Sequence, residues 1–448
     1  MRRLYLLSCL PLALACNGSD SGREGDGGGV VSISVGEGGT APAETDDATA
    51  GSGSGSAEGT GNADGTVDDD GDGGGGLPSF DVGAPAGEGG CGGGMGGGTG
   101  TLSYNWIANS AQGTVTKINT QSMVEEGRYV VRPDGAGSPS RTSVSLSGDV
   151  GVASRNGGAT KIYGNIEDCQ ESNGMPGIQT ATDAAYLPWG QDECIAWHTP
   201  LVYTSNRPMA WAQGDWNDVT CEYDNEMLWT SGRNGGAATE VLLLDGETGA
   251  VTQTVVIPEI GSGIGLYGGA VDGDGNFWGI DRSGAYNLIR VDRQTFQYEV
   301  IPGPGAGGYG LAVDSTGRPW YCAGGGAWRY EPGPGTWQSV PSPGGNLWGG
   351  CMTDGQGTLW HCRQQDSTLV GIDTETFQIV DQIPIPSYAH GISIDFDGNV
   401  WAVGFSSNVA YRVDPVTHTI DTFDQLVGAY TYSDMTGFAL ASVGTPSG

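Results

Sequence analysis

Between Tyr267 and Trp401 one short pattern occurs four times: YGGAVDGDGNFW (267–278), YGLAVDSTGRPW (309–320), WGGCMTDGQGTLW (348–360) and HGISIDFDGNVW (390–401). Each copy is an alternating strand ending in Asp, a tight turn containing Gly, and a second strand opened by Trp. The Asp always stands six residues before the Trp and a Gly three before it: Asp272/Gly275/Trp278, Asp314/Gly317/Trp320, Asp354/Gly357/Trp360 and Asp395/Gly398/Trp401. Successive Trp residues are 42, 40 and 41 positions apart. A period of about 40–45 residues with several short strands per unit predicts a β-propeller, one blade per repeat.

Inside the repeat each residue type has a structural role. Gly before the Trp permits a positive φ in the hairpin turn, and Asp and Asn suit the same turn. Trp offers a large apolar face for packing between blades. The run Asp272-Gly-Asp-Gly-Asn276 looks like a calcium loop but lacks the later ligands, so it reads as a turn. Weaker copies extend the pattern backwards. Tyr104–Asn109 and Thr114–Asn119 read as strands joined at Gln112-Gly113, with Gly127–Arg132 as a third. The stretch 140–154 is a degraded copy with Gly151 at the Trp position, and Glu222–Thr230 restores the pattern at Trp229. Residues 163 to about 217 interrupt the period. The second strands opened by Trp106, Gly151, Trp229, Trp278, Trp320, Trp360 and Trp401 give seven blades, with six or eight as alternatives because the interruption hides the count. The first blade begins at its second strand, so the C-terminal stretch around Tyr430–Phe438 is expected to supply the missing strand and remove an open sheet edge. The fold class is therefore all-β, a seven-bladed propeller over residues 101–448.

The preceding segments are of a different kind. Residues 1–16 carry Arg2 and Arg3, an apolar run too short to span a bilayer, and small residues before Cys16, which predicts a signal peptide. Leu-Ala-Leu-Ala-Cys16 resembles a bacterial lipobox with Leu one position further from the Cys than usual. Lipidation at Cys16 is the expectation, and ordinary secretion the alternative. Residues 17–100 are Gly, Ser, Asp, Glu and Thr with almost nothing to bury, so they read as a disordered acidic linker. The predicted location is the cell envelope, anchored to the outer membrane or displayed at the surface, with the lipid as sole membrane contact and the chain a monomer. With 52 acids against 18 bases the net charge is −34, which repels nucleic acid and anionic membranes.

The nine cysteines suit an oxidising compartment. Cys351 and Cys362 lie on the first and second strands of one blade, nearly opposite across the turn at 355–357, and a cross-strand disulfide is expected there. Cys169, Cys194 and Cys221 bracket the long interruption, and two of them are expected to staple it. None has the paired spacing of a zinc site.

Repeats of the form aromatic-Gly-Ile-x-x-Asp-x-x-Gly-x-x-Trp, each followed by a strand such as LIRVD (288–292) or LVGID (369–373), resemble streptogramin B lyases (virginiamycin B lyase-like propellers) and related NHL-type propellers. The resemblance covers about 102–440 and is carried by scaffold residues. It implies elimination on a cyclic depsipeptide with a magnesium ion, a His base at the start of a blade's first strand, and Glu residues nearby, one of them three after the Trp. His390, eleven before Trp401, stands at the base's position. Three after each Trp this chain has Asp281, Ala323, Arg363 and Gly404, so the carboxylate is missing in the blade of His390. A base without an oriented metal or carboxylate loses most of its purpose.

The position eleven or twelve before each Trp holds Tyr267, Tyr309, Trp348 and His390, with Tyr430 in the closing stretch and Arg141 and Asp218 at or next to it in weaker blades. First strands surround the central channel, so these side chains form either an aromatic-lined site for a small molecule, glycan or peptide, or packing between blades. The leading expectation is a non-catalytic binding or scaffold lipoprotein with no resident cofactor. The alternative is a lyase-like or lactonase-like enzyme using His390, with Asp281 as its carboxylate and magnesium or calcium at the channel. A purely structural envelope component is the third reading.

Two measurements check the outer segments. Mass spectrometry of the mature N-terminal peptide should find diacylglycerol on Cys16, and an unmodified terminus elsewhere would leave a secreted protein. Limited proteolysis should leave a core beginning within a few residues of Leu102, because a segment without buried backbone is not protected.

Overall fold

The computed structural model describes residues 103–217, 219–220, 222–346 and 349–443. The expected signal peptide, Cys16, the acidic linker, Asp218, Cys221 and Trp348 lie outside them. Seven antiparallel sheets follow one another along the described chain as the blades of a propeller: five of four strands and two of three. Blade one is Tyr104–Asn109, Thr114–Asn119 and Glu125–Val130, close to the expected strands. The first, inner strands of blades two to five are Pro139–Val144, Ser205–Ala212, Leu266–Val271 and Gly308–Val313. Those of blades six and seven are Cys351–Thr353 and Ala389–Ile394.

The interruption is smaller than the broken period suggests. Ile195–Thr199 is the outer strand of blade two, and Ser205–Ala212 the inner strand of blade three. Two short excursions hide them: a loop closed by the Cys169–Cys194 disulfide, and a hairpin of Asp215–Asn217 with Glu222–Asp224 that lengthens the first turn of blade three.

The Asp–Trp spacing is a hydrogen bond. The indole N–H donates to the Asp carboxylate six residues earlier in all four clear repeats: 2.8 Å for Trp278–Asp272, 2.9 Å for Trp320–Asp314, 3.2 Å for Trp360–Asp354 and 2.9 Å for Trp401–Asp395. The other carboxylate oxygen accepts turn backbone N–H groups, including those of Asn276, Arg318, Thr358 and Asn399. Gly275, Gly317, Gly357 and Gly398 all have positive φ, as the turn requires. One carboxylate thus ties the turn to the ring that packs between blades, and burial pushes the Asp395 carboxyl upward from its ordinary value. Trp229, with Tyr223 at the Asp position, donates instead to the Gly275 carbonyl of the next blade at 3.0 Å.

The ring is closed as expected. Tyr430 N–H donates to the Ala108 carbonyl at 3.1 Å and Trp106 N–H to the Met435 carbonyl at 2.9 Å, so residues 429–435 run beside the inner face of blade one. The segment makes no regular ladder; only an isolated bridge at Ala429 joins it to Asn109. It continues into a short helix, Phe438–Val443, that the repeat does not foretell. Asp434 caps it, accepting from the N–H groups of Gly437, Ala439 and Leu440. Leu440 and Val443 pack with Val271 and Val313, at the Asp-turn ends of the inner strands.

The cysteines correct one expectation. Cys351 is bonded to Cys322 of blade five, and Cys362 is a buried free thiol. In the register of blade six Cys351 faces His361, not Cys362. Adjacent residues on a strand point to opposite faces, so a one-residue offset turns Cys362 away. The expected staple of the long loop does form between Cys169 and Cys194.

Asp395→Ala leaves the buried Trp401 indole and the turn N–H groups without an acceptor. It should lower unfolding free energy by about 2–3 kcal/mol, whereas Asp395→Asn, which keeps an oxygen toward the indole, should lose less than about half of that. Urea denaturation of the two variants checks this.

Candidate functional site

The inner strands begin at the end of the channel opposite the helix, and there the pairing is irregular in five blades. Tyr309 and His390 are the unpaired residues of bulges, because Gly308 and Gly310 pair with successive residues, as do Ala389 and Gly391. Shifts of register also fall beside Arg141, at Arg207 and at Tyr267. A bulge re-aims a side chain that a regular strand would send to one sheet face. The Gly after each aromatic has its own cause. A Cβ on Gly310 would lie 2.5 Å from the Gly349 carbonyl oxygen of the next blade, and one on Gly391 would collide with the Thr431 carbonyl. Backbones of neighbouring blades touch at this level, and only Gly fits.

The aimed side chains meet. Tyr267, Tyr309, Tyr430 and Tyr432 form one buried cluster. The hydroxyls of Tyr267, Tyr309 and Tyr430 hydrogen-bond one another, at 2.6 Å for Tyr267–Tyr309 and 2.5 Å for Tyr309–Tyr430, with Tyr267–Tyr430 the third contact. Burial raises the Tyr267 and Tyr309 phenols above their usual range. His390 packs edge-on against Tyr309 at 4.7 Å between ring centroids and lies 4.7 Å from Phe405.

Four arginines surround the tyrosines. The Arg141 guanidinium carbon sits 3.2 Å from the Tyr432 ring centroid and 4.8 Å from that of Tyr267. Arg155 lies over Tyr430 at 4.7 Å, Arg207 over Tyr267 at 4.9 Å, and Arg282 over Tyr267 and Tyr309 at 5.1 and 5.2 Å. Arg141 is fully buried, and burial lowers its pKa to about 10. Arg155, Arg207 and Arg282 are half-buried.

His390 does not have the surroundings of a metal-assisted base. Its Nδ1 is 2.9 Å from the Tyr388 hydroxyl, and Nε2 has no hydrogen-bond partner among the described residues. Burial, then the positive charge of Arg141, pull its pKa down to about 3. Its ring neighbours are Tyr309, Tyr388, Phe405, Tyr430 and Tyr432. Magnesium prefers carboxylate and other oxygen ligands. A histidine among aromatic rings beside a guanidinium does not fit it, and among the described residues no group of three His, Cys, Asp or Glu could hold a metal ion. Asp281 accepts from its own loop: Ser283 N–H at 2.6 Å, the Ser283 hydroxyl at 2.7 Å and the Asn287 amide at 3.5 Å.

The structure therefore brings Arg141, Tyr267, Tyr309, His390 and Tyr430 together. In blade three the ring position belongs to Arg207, because that blade's inner strand is Ser205–Ala212 and not the stretch that holds Asp218. Arg155, Arg207, Arg282, Tyr432 and Phe405 were not singled out in the sequence. Arg155, Arg282 and Phe405 share a legible position, four residues after the Trp position of their repeats, while Arg207 was hidden by the broken period.

No family model matches the chain, and no curated protein matches it. Solved structures do. The virginiamycin B lyase of Staphylococcus aureus is 15% identical over 66% of this chain and 89% of its own, with a TM-score of 0.46. A streptogramin B lyase is 19% identical over 44% of this chain, with a TM-score of 0.38; the match spans 65% of that protein, just under two thirds. Apo AztD of Citrobacter koseri is 12% identical over 73% of this chain and 96% of its own, with a TM-score of 0.48. The expected resemblance to virginiamycin B lyase-like propellers is met as a likeness of fold, and the chemistry rests on the side chains.

The His390 shift has a pH signature. Its folded pKa of about 3 lies below the ordinary 6.5, so between these values the unfolded chain binds the extra proton. Stability falls as pH drops through this window, by about 2 kcal/mol from pH 7 to pH 5 for one such histidine. His390→Gln should remove that share of the loss, measured by urea denaturation at the two pH values.

Proposed function

We propose that this chain is a non-catalytic binding module, held at the cell envelope by a lipid on Cys16 and taking a small ligand at the aromatic mouth of its channel. One observation carries the reading: inner strands of blades two, three, four, five and seven, with the closing segment, turn side chains into one place at irregularities of pairing. Packing between blades needs no such irregularity, since the regular strands already bury the repeat Trp residues. Aromatic rings with a few convergent polar groups are the usual lining of a ligand site. The donors around His390 supply neither the carboxylate nor the metal ligands that lyase chemistry would use, which favours binding over turnover.

The reading is checked with the full chain and two probes. A streptogramin B depsipeptide with magnesium should remain unopened above the uncatalysed background; turnover that vanishes in His390→Ala would replace the binding module by an enzyme. Phenyl β-glucoside, a neutral aromatic sugar, should bind by calorimetry. Tyr309→Ala should weaken it about five-fold, the scale of one aromatic contact, while the distant Trp337→Ala leaves it unchanged.

A further inference from the structure

The mouth is cationic in a chain that is strongly acidic. Four of the 18 basic residues gather there, in a chain that carries 52 acids. Arg141 is 0% exposed, and among the described residues its guanidinium makes one hydrogen bond, from Nη1 to the Ser140 carbonyl at 2.6 Å. Its Nε and Nη2 have no partner among the described residues. Arg155 donates to the Ser138 hydroxyl at 2.7 Å and Arg207 to the Ser205 hydroxyl at 3.3 Å, both neutral acceptors. Arg282 donates to the Gly308 carbonyl at 3.0 Å.

Two other buried arginines are paired with carboxylates, while Arg233 has all three of its donor nitrogens met by the carbonyls of Ala237, Gly261 and Gly263, which leaves Arg141 as the buried guanidinium with open N–H groups. Arg128, equally buried, is forked onto Glu125 at 2.7 and 2.9 Å, and Arg329 is paired with Glu331 at 2.6 Å. A buried guanidinium without a counter-charge is costly, and stacking on tyrosine faces offsets only part of that cost. The arrangement is what a site for a negative group requires: free N–H donors held in place, cations around them, and hydroxyls able to turn their protons inward. The hydroxyls of Tyr267, Tyr309 and Tyr430 bond one another, and a ligand that replaces one of those bonds would receive such a donor.

We propose that the channel mouth recognises a ligand through an oxyanion, a carboxylate, phosphate or sulfate carried on a ring-bearing small molecule, with Arg141 as the buried anchor and Arg155, Arg207 and Arg282 as the rim. This rests on the binding-module reading and names the ligand class. The guanidinium fork matches a planar carboxylate or two oxygens of a phosphate, and tyrosine faces supply the surface for the attached ring. The negative charge of the chain as a whole makes a general electrostatic attraction for anions implausible as the cause of binding, so selectivity falls to these four residues.

The experiment is calorimetry on the full chain at constant ionic strength. Phenyl β-glucuronide is compared with phenyl β-glucoside, and phenyl phosphate, phenyl sulfate and inorganic phosphate serve as further arms that separate the oxyanion types. At least one anionic probe should bind about tenfold or more tighter than the neutral glycoside. That preference should disappear in Arg141→Met and shrink in Arg207→Gln and Arg155→Gln, whose half-buried side chains can be changed without disturbing the core. Equal binding of glucoside and glucuronide would overturn the oxyanion while leaving a neutral binding site. Binding of none of the probes would overturn the oxyanion and the binding module together. An anion preference that survives in all three arginine variants would place the anion elsewhere.

Discussion

The hydrogen bond from the repeat Trp to the Asp six residues before it holds the architecture in register. A propeller blade shares no hydrogen-bonded ladder with its neighbours, so the blades stay together mainly by packing, and the largest packing element is the Trp. An indole ring can rotate about two torsions. Fixing its N–H to a carboxylate that also clamps the hairpin turn restricts the ring's orientation in each of the four clear repeats. A hydrogen bond to a charged acceptor is worth about 1.5–3 kcal/mol when its loss leaves a buried donor unpaired. Four such bonds are a sizeable share of the roughly 5–15 kcal/mol that keeps a protein folded.

That frame is rigid at one end of the inner strands and irregular at the other. The Asp turns and the short helix lie together, with Leu440 and Val443 against Val271 and Val313. At the far end the ladders slip, bulges appear, and a guanidinium is buried with no carboxylate beside it. Each of these features costs stability. Their concentration at one mouth is the pattern expected where stability is given up for recognition.

Much of the scaffold was legible in the sequence. The period gave blades, the Trp positions gave seven of them, and the missing inner strand of blade one pointed to closure by the C-terminal stretch. Two kinds of information were not legible. Excursions such as the Cys169–Cys194 loop and the hairpin at 215–224 break a period without breaking the fold, so Ser205–Ala212 lost its place as an inner strand and Arg207 with it. Register was the other: a one-residue offset sent Cys351 to Cys322 and left Cys362 a free thiol. The aromatic positions were found because they recur with the repeat. Arg155 and Arg282 were missed because they stand just past the ends of second strands, Val150–Ser154 and Phe277–Asp281, where a charge reads as solvated, and only a closed ring turns those ends inward.

Closure and site are the same event in this fold. Tyr430 and Tyr432 belong to the segment that runs beside blade one, and they touch Tyr267 and Tyr309 of blades four and five and Arg141 of blade two. Those contacts cross the channel and do not exist until the last strand is seated. The closing segment is therefore held to blade one by backbone hydrogen bonds at the rim and to blades four and five by tyrosine hydroxyls at the centre. A ligand that bridges Arg141 to these tyrosines would hold the closing segment down from inside. Binding at the mouth would then be felt as stability of the whole ring, because the element that completes the site is also the one that completes the fold.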